Sequence, residues 1–451
     1  MNLTDVDNLI VGLGATGLSV ARFLRARGAS FAVSDTRAAP PALQAGADAE
    51  WLGEAWVGPL DRLAPAQLPS RVIVSPGVAL EHPVLQQALA HGCALTSDID
   101  LFAAEAEAPV IAITGSNGKS TVTALVGELL RAAGVRTAVG GNFGTPALDL
   151  LGEAPEVFVL ELSSFQLERC ESLAPVRAAL LNISPDHLDR YPDLPAYARA
   201  KARILERAGT GVLNRDDPRV REVARPPALP VVWFGLDAAP KSGEFGLRPA
   251  PDGPAPDLMH GGERLLSTAR LRVHGQHNWA NALAALALAW PWLGQREARA
   301  RALAALADFP GLPHRSQWIA RIAEVDYVND SKGTNVGATL AALRGTPGPL
   351  VLIAGGQGKG QDFSPLADYV PGKVRGVVLL GEDAPAIARA LASVVPVQRV
   401  EDMGAAVAQA ARWAHPGDTV LLSPGCASLD MYPDYQARGD DFARAVRERA
   451  A

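Results

Sequence analysis

The most chemically loaded stretch of this 451-residue chain is Thr114-Gly115-Ser116-Asn117-Gly118-Lys119-Ser120-Thr121. Its glycines let backbone N–H groups turn into one concavity, where an anion settles. Lys119 adds a full positive charge for outer phosphates, and Ser120 or Thr121 adds a hydroxyl for Mg²⁺. The usual phosphate-loop spacing puts a glycine six positions before the lysine; Ile113 stands there, so this loop is tighter. The plain alternative is a solvated lysine in an ordinary strand-to-helix turn. Asn-Gly-Lys-Ser-Thr directly behind an apolar run argues against it.

Further reactive residues follow other apolar runs. Glu161 closes the run 156–162, where a Mg²⁺ carboxylate is expected beside a phosphate loop. His187 lies just past the run 178–183 and among acids, which suits a metal or phosphate role. Asn278 and Asn281 open an apolar helix on one face. They could cap that helix, or match adenine with donor and acceptor together. Near the start, Gly12-Leu13-Gly14-Ala15-Thr16-Gly17 precedes Asp35, which stands eighteen residues beyond Gly17. That is the fingerprint of a diphosphate-bearing nucleotide with an acid for its ribose, and Thr36 and Arg37 could hold a base or sugar. Lys201, by chemistry alone, reads as a surface lysine on a helix predicted over 197–206.

These residues need sheet edges to present them. Val110 to Ile113 is short, apolar and β-branched, and reads as a buried strand; Leu125, Leu129 and Leu130 then recur at helical spacing. Strand, glycine loop and helix recur around residues 9–28. The runs 31–34, 72–74, 211–214, 230–235, 325–328, 350–354, 377–380 and 419–422 read as further strands alternating with helices. The stretch 237–274 is rich in proline and glycine and predicts loops and short hairpins. The expectation is an α/β chain of three domains. They are an N-terminal Rossmann-like unit (1–97), a central P-loop ATPase-like unit with a mainly parallel sheet (98–309) and a C-terminal Rossmann-like unit (310–451).

Bulk properties narrow the class. Nearly half the residues are hydrophobic, enough for several cores, and the net charge of −6 argues against nucleic acid as a partner. Cys93, Cys170 and Cys426 have no paired spacing, which fits a reducing cytoplasm and neither a disulfide framework nor a cysteine zinc site. No signal peptide is expected, and the most lipid-like run, 280–293, is too short to span a bilayer.

Two nucleotide-like loops, with acids, a histidine and lysines at strand ends, suit either a kinase or a ligase. An oxidoreductase using NAD on Gly12 to Gly17 would leave the central loop unexplained, and a non-catalytic nucleotide-binding module would leave the charged groups unexplained. The joint order of several motifs resembles the Mur ligase family. They are Thr114 to Thr121, Glu161-Leu162-Ser163-Ser164-Phe165-Gln166-Leu167, Gly275-Gln276-His277-Asn278, Leu312-Pro313-His314-Arg315, Asn329-Asp330-Ser331-Lys332 and Ser423-Pro424-Gly425-Cys426-Ala427-Ser428-Leu429-Asp430.

The resemblance implies that ATP energises the carboxylate of UDP-N-acetylmuramoyl-L-alanine as an acyl phosphate. D-glutamate captures it through a tetrahedral intermediate, in the cytoplasm and on a monomer. A sibling of the folylpolyglutamate type, adding another amino acid, is the alternative. By the same resemblance, Gly14, Ala15, Thr16, Ser75 and Gly77 hold the UDP diphosphate side, with Asp35, Thr36 and Arg37 at uracil and ribose. Asn142 and His187 stand near the reacting carboxylate and phosphate. ATP falls to the loop from Gly115 to Thr121 with Asn278, Asn281, His314, Arg315 on phosphate and Asp330 on ribose. D-glutamate falls to Lys332, Thr334, Lys359, Ser428, Leu429 and Tyr435. Two Mg²⁺ ions are implied, one at Ser120 and Glu161 and one at His187 and Lys201, the latter carrying a CO₂-derived carbamate.

Overall fold

A computed structural model describes residues 3–44, 48–223, 229–238, 241–250, 255–273, 275–346 and 348–450. Three sheets stand in series. The first is fully parallel, from β1 (Asn8–Val11), β2 (Phe31–Asp35), β3 (Trp56–Pro59), β4 (Arg71–Val74) and β5 (Ala94–Thr96), in the order 3-2-1-4-5. The order reverses between β1 and β4, and ligands of open parallel sheets bind at such a switch, outside the carboxyl ends.

The central sheet holds β6 (Val110–Thr114), β7 (Thr137–Gly141), β8 (Val157–Glu161), β9 (Arg177–Leu180), β10 (Gly211–Asn214), β11 (Val231–Ala238), β12 (Phe245–Arg248), β13 (Asp257–His260) and β14 (Glu263–Ser267). Its order is 14-13-12-11-10-9-6-8-7, so β6 is an interior strand that delivers its loop between β8 and β9. The helix Lys119–Ala133 follows at once. Its Val122, Leu125, Val126, Leu129 and Leu130 are sealed against the helix Gln276–Ala289, whose Ala282 to Ala289 are buried on every side. An alanine-and-leucine helix is small enough to be sandwiched in this way, which explains a run apolar all round. The proline-rich stretch, predicted as loops and hairpins, adds β12 parallel to β11 and then β13 and β14 antiparallel at the far edge. Residues 239–240, 251–254 and His274 of that stretch lie outside the described residues.

The third sheet holds β15 (Gln317–Ile322), β16 (Val325–Asn329), β17 (Leu350–Gly355), β18 (Val374–Leu380), β19 (Val397–Arg399) and β20 (Thr419–Leu422), in the order 15-16-20-17-18-19. All pairs are parallel except β15 with β16. The sequence reading missed β15, an edge strand none of whose residues Gln317–Ile322 is fully buried and whose apolar residues do not alternate cleanly with polar ones. Asn278 is not a cap: Gly275 precedes the helix Gln276–Ala289, and Asn278 is buried within its first turn.

Candidate active site

The three sheets turn two cavities toward each other. The first, of about 490 Å³, lies between the carboxyl edge of the N-terminal sheet and the bend after β7. Gly14, Ala15, Thr16, Asp35, Thr36, Arg37, Ser75, Gly77 and Asn142 all line it. Its floor is tightly made. A Cβ on Gly17 would stand 1.8 Å from the Gly12 carbonyl oxygen, so no other residue lets the first helix approach its loop. Asp35 is buried and occupied: its carboxylate accepts from the Leu13 N–H at 2.7 Å and from the Arg37 guanidinium at 2.8 and 2.9 Å. Burial pushes that carboxyl up, but the hydrogen bonds from Arg37 and Leu13 together hold it below the usual carboxylate range. Arg37 remains half exposed at the cavity.

The second cavity, of about 280 Å³, opens between the central and C-terminal sheets. Lys119, Lys201, Arg315, Lys332 and Lys359 face Glu161 and Asp186 there, five basic side chains against two carboxylates, which suits a polyanion. Gly118 adopts φ +84°, and a Cβ there would strike Asn281 Oδ1 at 2.5 Å, so Asn281 buttresses the loop from behind. Asn281 in turn donates to Asn278 at 3.2 Å. Lys119 Nζ donates to the Gly115 and Ser116 carbonyls at 2.9 Å each. Ser120 and Thr121 are both buried, and of the two hydroxyls only that of Ser120 belongs to a residue lining the cavity. Ser120 Oγ donates to Glu161 Oε2 at 2.5 Å, and Asn142 Nδ2 donates to Oε1 at 2.8 Å. Asn142 lines both cavities, so the two meet at this residue.

The C-terminal domain reaches across. Arg315 Nη2 donates to Ser120 Oγ at 2.5 Å, Lys359 Nζ pairs with Asp186 at 3.3 Å, and Asn335 bridges Asn117 and Asp186 at 3.2 and 3.0 Å. Asp186, Asn335 and Phe165 are cavity residues that sequence reasoning missed. Asp186 had a signal, since it stands directly before His187 past a strand; Asn335 had none beyond its neighbour Thr334.

Lys201 is the clearest correction: it is 2% exposed, not a surface lysine. Its ammonium lies over the Tyr197 ring at 4.6 Å, with no hydrogen-bonding partner among the described residues. Burial, reinforced by Lys119, pulls its amine well below the ordinary lysine value. His187, held at φ +55° with its ring edge-on to Phe165, is pulled down to about 4 by burial and is neutral at physiological pH. Burial, with Arg315 and Lys119, brings Lys332 down to about 8; its Nζ sits 4.0 Å over the Tyr435 ring. Thr334 also lines the cavity.

Other expected residues stand outside it. His314 turns into the C-terminal domain, its Nδ1 3.1 Å from Asn329 Nδ2. Asp330 accepts from the Ser316 N–H at 3.1 Å and the Ser423 hydroxyl at 2.8 Å, and burial raises its carboxyl to about 6. Ser428 is buried and Leu429 is exposed.

Comparisons with known proteins fit this geometry. Residues 6–97 match the family described as "Mur ligase MurD-like, N-terminal domain", 113–289 the "Mur ligase middle domain" and 314–426 the "Mur ligase, glutamate ligase domain". The UDP-N-acetylmuramoylalanine–D-glutamate ligase of Nitrosococcus oceani is 51% identical, over 98% of this chain and 96% of its own. That of Methylococcus capsulatus is 50% identical, over 98% and 95%. The solved UDP-N-acetylmuramate-alanine ligase MurC from Thermotoga maritima has a TM-score of 0.61 at 20% identity, over 98% of this chain and 100% of that one. A pseudomurein peptide ligase from Methanothermus fervidus reaches 0.63 at 18%, over 99% and 100%. At such identities the two structures speak for the fold alone.

Proposed function

The chain belongs to the Mur ligase family, and from that premise we infer that it joins D-glutamate to UDP-N-acetylmuramoyl-L-alanine at the expense of ATP, in peptidoglycan synthesis. The relatives that share about half its residues over its whole length carry that activity in their names, which leaves a sibling ligase without support.

One observation carries the mechanism: the two cavities meet at Asn142, whose amide is bonded to Glu161. The UDP portion of one substrate lies over the first glycine loop, with Arg37 at the uridine end, and its alanine carboxylate reaches Asn142. The triphosphate of ATP lies on the N-terminus of the helix Lys119–Ala133, where the loop N–H groups, Lys119 and Arg315 neutralise its charge. Lys119 exchanges its two loop carbonyls for phosphate oxygens. The carboxylate attacks the terminal phosphorus in line, ADP leaves, and an acyl phosphate remains. The amine of D-glutamate then attacks the acyl carbon; the tetrahedral intermediate collapses with loss of phosphate. D-glutamate brings two carboxylates, and Lys332, Thr334 and Lys359 at the C-terminal side supply the cations and hydroxyl for them. Ser428, Leu429 and Tyr435 flank that side. Asn278, Asn281, His314 and Asp330 belong to the nucleoside end of ATP. Of these Asn281 is nearest, packed on Gly118.

The donor set fits Mg²⁺. Among the described residues no group of three or more histidine, cysteine or carboxylate side chains converges. A hydroxyl and a carboxylate, Ser120 and Glu161, are the sparse protein share expected of an ion that keeps waters and phosphate oxygens. His187 and a carbamate on Lys201 would hold a second ion. The ions would draw charge from the transferring phosphoryl group. A neutral amine is the form that adds CO₂, releasing one proton, and burial favours that form at Lys201.

The domain limits 1–97, 98–309 and 310–451, a monomeric state and a cytoplasmic site of action are part of the same reading. No helix among the described residues is long and apolar enough to cross a membrane. The test is phosphate release from ATP, Mg²⁺ and UDP-N-acetylmuramoyl-L-alanine with a panel of amino acids. Release dependent on D-glutamate is expected; release with another amino acid only would overturn the reading.

A further inference from the structure

Between Glu161 and Arg169 the chain passes from one cavity to the other in a single short, braced segment. Ser163 and Gln166 form a reciprocal capping box around the helix Ser164–Leu167. Ser163, Ser164 and Phe165 line the phosphate-side cavity, whereas Gln166 lines the other. Arg203 Nε donates to the Leu167 carbonyl at 2.8 Å and fixes the far end. Arg169 then leaves the central domain and enters the N-terminal one, where it is 8% exposed.

Its guanidinium is wrapped by one turn. Nη1 donates to the carbonyls of Val74, at 3.4 Å, and Ser75, and Nη2 donates to the carbonyl of Val78. Burial, with Arg190 nearby, lowers the group to about 10, so it is still a cation at neutral pH. The turn it holds is a wall of the first cavity, which Ser75, Gly77 and Val78 line. The same turn grips the glycine loop. The Ser75 hydroxyl donates to the Gly12 carbonyl at 2.8 Å, the Ser75 N–H to Val11 at 2.9 Å, and a Cβ on Gly12 would stand 2.8 Å from the Ser75 Cβ.

We propose that Arg169 is a positioning residue for the nucleotide-linked substrate. It sets the wall and glycine loop of the first cavity at a fixed offset from Glu161 and the phosphate loop. A planar fork with several donors can gather carbonyls spread along a turn; a point charge on a flexible stem cannot. No other function assigned to the segment 163–169 requires a guanidinium at this position. The proposal rests on reading the first cavity as the seat of the UDP-linked substrate.

The test is steady-state kinetics of the full-length enzyme with each substrate varied in turn. Arg169→Met is expected to raise KM for UDP-N-acetylmuramoyl-L-alanine about tenfold or more, leaving KM for ATP and for D-glutamate within about twofold. Arg169→Lys, which keeps the charge and one donor group, is expected to show the same selective rise at smaller amplitude, and decides the matter if the methionine variant does not fold. A loss confined to kcat, or an equal rise in all three KM values, would show a merely structural residue and overturn the proposal. Arg37→Ala separates the two claims. If it raises the UDP-substrate KM while the Arg169 variants do not, the positioning role fails and the cavity assignment stands. If neither position moves that KM, the cavity assignment itself fails.

Discussion

Replacing Lys201 with alanine isolates the least ordinary group in the site. Carbamylation would turn this position from an amine into an anion, inside a cavity that already holds Lys119, Arg315, Lys332 and Lys359. A unit negative charge about 5 Å from a cation is worth about 3 kcal/mol at an effective dielectric of about 20. Loss of that anion therefore predicts a fall in kcat of about two orders of magnitude or more. The stability change is smaller. Lys201→Ala removes three buried methylenes, about 2.5 kcal/mol of burial, but it also removes a desolvated amine that gains no hydrogen bond among the described residues, and the two effects oppose each other. The assay is phosphate release at saturating substrates, with thermal unfolding as the control. Formate, acetate or propionate should restore part of the rate by occupying the vacated carboxylate position. A folded variant with full activity, or a folded inactive variant that no small carboxylate rescues, would refute the reasoning.

Lys119→Ala should lower kcat at least about a thousandfold, about 4 kcal/mol in the barrier, because it removes charge that tracks the transferring phosphoryl group. Its unfolding temperature should change by only a few degrees, since the half-buried ammonium bonds just two loop carbonyls. Asp98 should respond in stability rather than rate. Burial raises this carboxyl from 3.8 to about 6, although Gln166 hydrogen-bonds it. The folded protein therefore binds this proton more tightly than the unfolded chain does. The resulting stabilisation is full below the unfolded value and is lost as pH rises through about 6. Asp98→Asn should accordingly gain up to about 3 kcal/mol at pH ~7.5 and about half that at pH ~5 by linkage. Chemical denaturation at both values checks it, and a gain that grows on acidification would contradict it.

Many of the strands, the phosphate loop and the fingerprint loop were legible because each is a local pattern: a β-branched run, a glycine bend, a helix at 3.6-residue spacing. What was not legible depends on packing between distant segments. Lys201 sits among alanines and arginines on a short helix, and nothing in that helix says which face is sealed. Asp35 looked available to a ribose, but the Leu13 N–H and Arg37 already occupy both its oxygens. Asn278 looked like a cap because Asn is a good one; the helix instead begins two residues earlier, at Gln276 behind Gly275. Asp186 acquires its place only when Asn335 and Lys359 arrive from another domain. Arg169 is silent in sequence for the same reason: its three carbonyl partners lie more than ninety residues upstream.

The most direct test of the account follows the oxygen atoms of the attacking carboxylate. UDP-N-acetylmuramoyl-L-alanine labelled with heavy oxygen in that carboxylate is turned over with ATP, Mg²⁺ and D-glutamate, and the released phosphate is analysed by mass. Attack of the carboxylate on the terminal phosphorus predicts one heavy oxygen in each phosphate and one left in the new amide carbonyl. Phosphate free of label, with both heavy oxygens absent from it at full product formation, would contradict the account.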